Sequence, residues 1–315
     1  MRKLSTLAVL LAACIGMSAQ EKVTFMPAWT PQAQFAGFYV ALEKGFYAAE
    51  GLDVTIEHMG INSSIPGIVR IKEGEVDIIE SHPIQSLLAR EEGLKIVNVF
   101  QVTQNTGIMI ASHKPVPDIK SLEGMKIGRW KSGFSEICEI CLASNHVNVE
   151  WVPFLSGINL YISKAVDATV VMSYNELNSV FEAVGTLPED HLVKFSDYGY
   201  NIPEDGLYVT EDYLAKHADI VAKFCEATRK GWLWCRDNRE EALDIVMDYV
   251  EKTGVRTSRY HQQEMLKGML DLTVNPDSGN MDFQQIPEDR YNSLMDILVK
   301  MNYLSNPIPY KEFIR

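Results

Sequence analysis

The chain is 315 residues long and 46% hydrophobic, enough to bury one large core or two moderate ones, and the length favours two lobes. Its formal charge of -13, from 29 basic and 42 acidic residues, repels phosphate backbones, and no basic patch is interleaved with aromatics, so nucleic acid is excluded as a partner. A membrane-spanning helix is not expected beyond the N-terminus, because the only long apolar run stands there.

That run, MRKLSTLAVLLAACIGMSAQ, places two cations before an apolar stretch over 4–15 and then small residues, the layout of a secretory signal over 1–19. Leu11-Ala12-Ala13-Cys14 resembles a bacterial lipobox, in which Cys14 becomes the lipidated first residue, while Gly16-Met17-Ser18 offers a rival cleavage point before Ala19. The chain is therefore expected outside the cytoplasmic membrane, periplasmic, soluble or lipid-anchored through Cys14. Loss of Arg2 and Lys3 leaves 27 basic against 42 acidic residues, a charge of -15.

The next elements alternate. A strand is expected over 23–29, closing on Trp29, followed by a Thr30-Pro31 corner and a helix over about 33–48. Just past a strand, where a helix starts, free N–H groups and a partial positive charge face outward. Trp29, Thr30, Gln32 and Gln34 are thus the first binding candidates, the indole to stack on a planar ligand and the hydroxyl and amides to orient it. A strand over 54–58 leads to Asn62-Ser63-Ser64, read as the cap of the next helix, where Ser63 and Ser64 suit an anion or a carbonyl oxygen. A strand over 76–80 closes on Glu80-Ser81-His82, a carboxylate and an imidazole able to read an amino group or a ring nitrogen. A helix over 83–91 and a strand over 95–102 complete the series. Packing, capping or a structural hydrogen bond competes with each of these binding roles.

A connector with Pro115 and Pro117 opens a second series: strand 125–130, helix 133–144, strand 149–154, strand 168–173 and helix 174–184. Its strand ends present Trp130 with Ser132, and Tyr174 with Glu176. Aromatics from both series would sandwich a flat heterocycle while Glu176 accepts from an exocyclic amine. Tyr198, in the loop DYGYN, is a further candidate wall. Long amphipathic helices follow over 212–237, 240–252 and 258–272 and are expected to pack back on the first lobe. Chain crossings near 108–112 and 207–210 divide the protein into lobe 1 (20–110 and 208–315) and lobe 2 (111–207), with a cleft at the carboxyl ends of two mostly parallel sheets.

Cys138 and Cys141 form CEIC, a spacing that suits metal or redox chemistry. They share a helical spacing with Phe134, Ile137 and Leu142, so burial of small thiols is the simpler reading beside a disulfide or a metal site; Cys225 and Cys235 carry no pattern. GxSxG, HExxH, a P-loop and GxGxxG are absent from the sequence, and neither metal nor cofactor is expected. A binding module needs fewer assumptions than an enzyme.

QAQFAGFYVALEKGFYAAEGLDVTI, KSLEGMKIGRW, AVDATVVMSYNEL and DYGYNIPEDGLYVTEDYLAKHADIVAKFCEATRKGW, which together span most of the chain, resemble segments of the periplasmic solute-binding proteins grouped with thiamine-pyrimidine biosynthesis and with sulfonate, taurine and nitrate uptake. The resemblance implies an α/β, type II periplasmic binding protein fold whose two lobes are joined by two crossover strands, acting as a monomer that hands a small molecule to the permease of an ABC importer. Trp29-Thr30-Pro31 looks like the start of the thiamine-precursor branch, and by that similarity Trp29, Tyr174 and Glu176 are ligand contacts. Where that branch often carries Asn-His, this chain has Gln34-Phe35. Against an anionic ligand, Arg129 is the only arginine at an expected strand end. A sensory receptor of the same fold, and an enzyme like the fungal pyrimidine synthases, are the alternatives; the export signal and the lack of a dense Cys/His run count against the enzyme.

Overall fold

A computed structural model describes residues 20–131 and 134–315. The signal and lipobox readings on 1–19, Cys14 included, and the Ser132 reading lie outside the described residues. Ten strands appear among the described residues: β1 Glu21–Met26, β2 Leu52–Ile56, β3 Ile78–Ser81, β4 Ile96–Gln101, β5 Ile108–Ser112, β6 Lys126–Trp130, β7 Glu150–Phe154, β8 Ala168–Met172, β9 Leu192–Lys194 and β10 Gly206–Thr210. The helices are α1 Ala36–Glu43, α2 Phe46–Ala49, α3 Gly67–Lys72, α4 Pro83–Glu91, α5 Glu136–Ser144, α6 Asn159–Ile162, α7 Glu176–Val184, α8 Glu211–Asp237, α9 Arg239–Thr253, α10 Arg259–Leu272, α11 Glu288–Lys300 and α12 Tyr310–Phe313.

The strands form two five-stranded sheets, ordered β2-β1-β3-β10-β4 and β7-β6-β8-β5-β9. In the first, β1 runs parallel to β2 and β3, with Val23 opposite Val54, while β10 is antiparallel to both β3 and β4. The second repeats the scheme with β5 as the inserted antiparallel strand. Each sheet is therefore mixed, one reversed strand among four that run together. Those reversed strands are the two crossings, and each enters the sheet of the other lobe. All five residues of β5 and the first four of β10 are buried, as strands covered on both faces must be. Lobe boundaries drawn at 110/111 and 207/208 would cut through these strands; the changeovers lie ahead of them, over 102–107 and 201–205.

The two changeovers run side by side. Val102 and Thr103 donate their N–H groups to the Asp205 carbonyl (2.9 and 3.3 Å), Asp205 N–H donates to Thr103 Oγ1 (3.0 Å), and Gly107 N–H donates to Glu204 Oε2 (2.9 Å). From the far side the end of α10 ties in, with Gln104 N–H donating to the Leu272 carbonyl (2.7 Å).

Local chemistry explains where element edges depart from periodicity. The helix expected over 33–48 is broken, because Gly45 sits in the left-handed region (φ 72°) between α1 and α2. The helix expected directly after Asn62-Ser63-Ser64 begins only at Gly67, behind Pro66. Those side chains close a turn instead: Ser63 Oγ accepts from Ile65 N–H (3.0 Å) and Asn62 Oδ1 from His58 N–H (2.8 Å). The long helix α8 is two segments meeting at His217, whose φ and ψ of -133° and 33° are not helical. On α5, Cys138 and Cys141 are buried free thiols, and burial pushes both up, Cys141 to about 12. Among the described residues no helix is long and apolar enough to cross a membrane.

Candidate functional site

β1, β3, β6 and β8 all end at the gap between the sheets, and residues at and just beyond their ends line a small cavity. Seven of the sequence candidates meet there: Trp29, Gln32, Gln34 and His82 from one lobe, Trp130, Tyr174 and Glu176 from the other. Phe134, Met172, Asn175 and Ala28 complete the lining.

The aromatic wall is built edge to face. Phe134 reaches across from lobe 2 and stands 6.0 Å from Trp29, nearly perpendicular to it, and 4.8 Å from the His82 ring. It does so from the left-handed region (φ 69°), a conformation a bulky residue holds only when its surroundings impose it. Trp130 is in turn braced edge-on by Phe154 at 5.5 Å.

Beneath the rings lies a cluster of acids. Asp205, on the strap leading into β10, accepts from Gln34 Nε2 on both oxygens (3.2 Å each), and His82 Nε2 stands 3.3 Å from its Oδ1. Gln32 Nε2 donates to Gln34 Oε1 (2.6 Å), so the amide chain is oriented from both ends. Glu80 is buried beside Asp205, with Oε2 accepting from Ala28 N–H (2.8 Å) and Oε1 lacking a donor. Burial first, and then the neighbouring Asp205, pushes Glu80 well above the carboxylate range. Burial alone would lower His82; the Asp205 hydrogen bond and the charges of Asp205, Glu204 and Glu136 outweigh it and raise it. Burial lifts Glu204 to about 7, opposed by His82, by the Thr106 hydroxyl and by Gly107 N–H.

Glu176 starts α7. Its Oε2 accepts from Met172 N–H (3.1 Å) and its Oε1 from Asn175 Nδ2 (3.0 Å), yet burial still raises the carboxyl to about 7. Asn175 is held in that orientation from the opposite lobe: His261, on α10, meets Asn175 Oδ1 through Nε2 (3.0 Å) and Glu182 Oε1 through Nδ1 (2.9 Å). A relay across the cleft thus sets the carboxyl that faces the cavity. The chemistry on offer is acceptance from N–H donors between apolar ring faces.

Other candidates lie elsewhere. Glu80 and Ser81 line a neighbouring groove of about 1020 Å³ that shares Ala28 and Phe134 with the cavity. Thr30 turns towards Gly60, and Ser63 and Ser64 belong to the turn before α3; none of the three lines the cavity. Tyr198 closes a short 3-10 turn ahead of Gly199 (φ 85°), packs half-buried against the core and does not line the cavity. Asp205 and Glu204 were missed; two consecutive acids immediately ahead of an apolar crossing strand, in EDGLYVT, were the available signal.

Residues 32–242 match the family model described as NMT1/THI5 like. The riboflavin-binding protein RibY of Chloroflexus aurantiacus is 25% identical over 235 residues, 73% of this chain and 67% of that protein. The formylaminopyrimidine-binding protein of Halalkalibacterium halodurans is 26% identical over 301 residues, 92% of this chain and 88% of that protein. Further relatives include fungal 4-amino-5-hydroxymethyl-2-methylpyrimidine phosphate synthases. Among solved structures, the periplasmic aliphatic sulphonate binding protein SsuA from Escherichia coli superposes with a TM-score of 0.69 at 11% identity, covering 93% of this chain and 96% of that one.

Proposed function

The chain belongs to the NMT1/THI5-like family, and we propose that it is an extracytoplasmic substrate-binding protein that closes its two lobes on a small planar polar ligand, a thiamine pyrimidine precursor, and delivers it to an ABC importer. One observation carries the choice of ligand. The buried Glu176 carboxyl, raised to about 7 and aimed into a cavity walled by Trp29, Phe134 and Trp130, complements an amine beside a ring nitrogen. The named pyrimidine binder among the relatives supports this reading, since it is matched along nine-tenths of the chain.

A sulfonate or nitrate receptor fits less well. The cavity lining contains no arginine or lysine among the described residues, and Arg129 is paired with Glu139 (2.9 Å). A pyrimidine synthase is the remaining rival. It would consume a histidine, and His82 is the only one lining the cavity among the described residues. In our reading the protein is a monomer without turnover, exported and either soluble or held by a lipid on Cys14.

Native mass spectrometry of protein from its own host should show a co-purified pyrimidine, and aminopyrimidines should raise the melting temperature by mass action. Stabilisation by sulfonates or nitrate alone overturns the ligand assignment. Loss of an intact histidine after incubation with pyridoxal phosphate and iron, read by intact mass, would replace the receptor by the synthase.

A further inference from the structure

Glu176 holds its place in the cavity wall without a counter-ion. Its oxygens accept from Met172 N–H (3.1 Å) and Asn175 Nδ2 (3.0 Å), and both donors are neutral. Two groups able to carry positive charge, His261 and Arg256, border the space beyond it together with Glu182. His261 spends both ring nitrogens on Asn175 and Glu182, and Arg256 is exposed to solvent. From the other side the field is negative. Burial first, and then the charges of Asp205, Glu204, Glu176 and Glu80, raise Tyr174 well above the usual phenol range, so four carboxyls from α7, β3 and the strap before β10 act on one point of the cavity. His82 is the one imidazole lining the cavity among the described residues, and it stands against Asp205.

A buried carboxylate facing only neutral donors is a costly charge, and a proton or a cation relieves the cost. The protein fills one acceptor direction on each Glu176 oxygen, and a carboxylate oxygen has a further one to offer. Two parallel N–H groups, the pattern of an amidinium, meet a carboxylate as a fork. An amine beside a ring nitrogen presents that pattern only when the nitrogen is protonated; otherwise the nitrogen turns a lone pair towards an oxygen.

We infer that the cavity selects a cation: the guest is held as a flat amidinium-type ring, protonated at the nitrogen beside its amine, with the Glu176 carboxylate as its counter-ion. This rests on the receptor reading above and specifies the charge that its pyrimidine must carry. The proton comes from solvent, so a ring that is neutral in solution takes one up on binding, whereas a permanent amidinium takes up none.

Isothermal titration of the full chain at about pH 8, in buffers of unequal ionisation enthalpy, counts the protons: 4-amino-5-hydroxymethyl-2-methylpyrimidine should take up about one per molecule bound. Benzamidine and benzamide share a shape and differ in charge, and benzamidine should bind at least about tenfold tighter, the gain of charge-assisted over neutral hydrogen bonds. Glu176→Gln keeps the shape and removes the charge; it should abolish the proton uptake and bring the benzamidine preference to about one, with thermal melts confirming that the variant folds. A pyrimidine that binds without taking up a proton overturns the inference and leaves the receptor reading standing. Benzamide binding as tightly as benzamidine likewise overturns it, since the proton then sits on the carboxyl and the cavity takes neutral guests. Uptake that persists in Glu176→Gln overturns the assignment to this carboxyl. Failure of the pyrimidine to bind at millimolar concentration overturns the receptor reading for such rings, and the inference with it.

Discussion

Substituting Gly268→Ala should separate folding from closure. Gly268 lies on α10 of lobe 1 where it crosses the start of α7, and a β-carbon there would stand 2.8 Å from Tyr174 Cβ and 3.1 Å from Tyr174 Cα. Carbon pairs rest at about 3.5–4.0 Å, and neither Tyr174 atom can swing aside as a side-chain tip can, so the two lobes would have to part by roughly 1 Å. Overpacking of this kind costs about 1–3 kcal/mol. In our reading that cost falls on the closed state alone, so ligand affinity should drop by roughly fivefold to a hundredfold. The open, ligand-free protein should gain instead, because alanine is the better helix former by about 1 kcal/mol, which for a chain of this size raises the melting temperature by about 2 °C. Titration with 4-amino-5-hydroxymethyl-2-methylpyrimidine and scanning calorimetry of the ligand-free protein read the two effects separately. An unchanged affinity, or a ligand-free protein that melts earlier, would refute the reasoning that α10 and Tyr174 meet only on closure.

The cross-lobe relay should behave similarly: His261→Ala removes the contacts to Asn175 and Glu182, of which an imidazole N–H hydrogen bond is worth about 1 kcal/mol, and should weaken ligand binding roughly fivefold, with His261→Gln restoring part of it by titration. Glu176 ionises near 4.5 when unfolded but near 7 when folded, so the folded state holds the extra proton in between. Stability of the ligand-free protein from this group should therefore fall by up to about 3 kcal/mol as pH rises through that window, a slope that urea titrations should find missing in Glu176→Gln. His58 has the opposite sign: buried between Tyr39 and the Trp29 carbonyl, it is lowered to about 4, and stability is lost as pH falls from 6.5 towards 4, by about 3 kcal/mol, a loss absent from His58→Asn in acid melts. Cys138, Cys141 and Cys235 should resist a thiol reagent until urea unfolds the protein; rapid native labelling of any of them would contradict their burial.

Much of the architecture was legible because amphipathic periodicity is local. The helix expected over 83–91 is α4 from its first residue to its last, for Pro83 stands where a helix tolerates a missing N–H. Strand ends can be read the same way, and Trp29, His82, Trp130, Tyr174 and Glu176, each expected at or just past a strand end, line one cavity. Where an element edge departs from the periodicity, backbone geometry overrides side-chain chemistry: α3 starts behind Pro66 rather than directly after Ser63 and Ser64.

What the linear order could not reveal is which distant groups share one volume. Gln34 and Asp205 are 171 residues apart, and they touch because β10 inserts antiparallel between β3 and β4, carrying Asp205 to the ends of both. His261 sets the orientation of Asn175 only because α10 spans the cleft. Alternation and spacing in the sequence determine which face of each element is apolar. The acid cluster and the relay depend instead on long-range strand pairing and on burial, which raises the cost of every unpaired charge and so selects the partners each group must find.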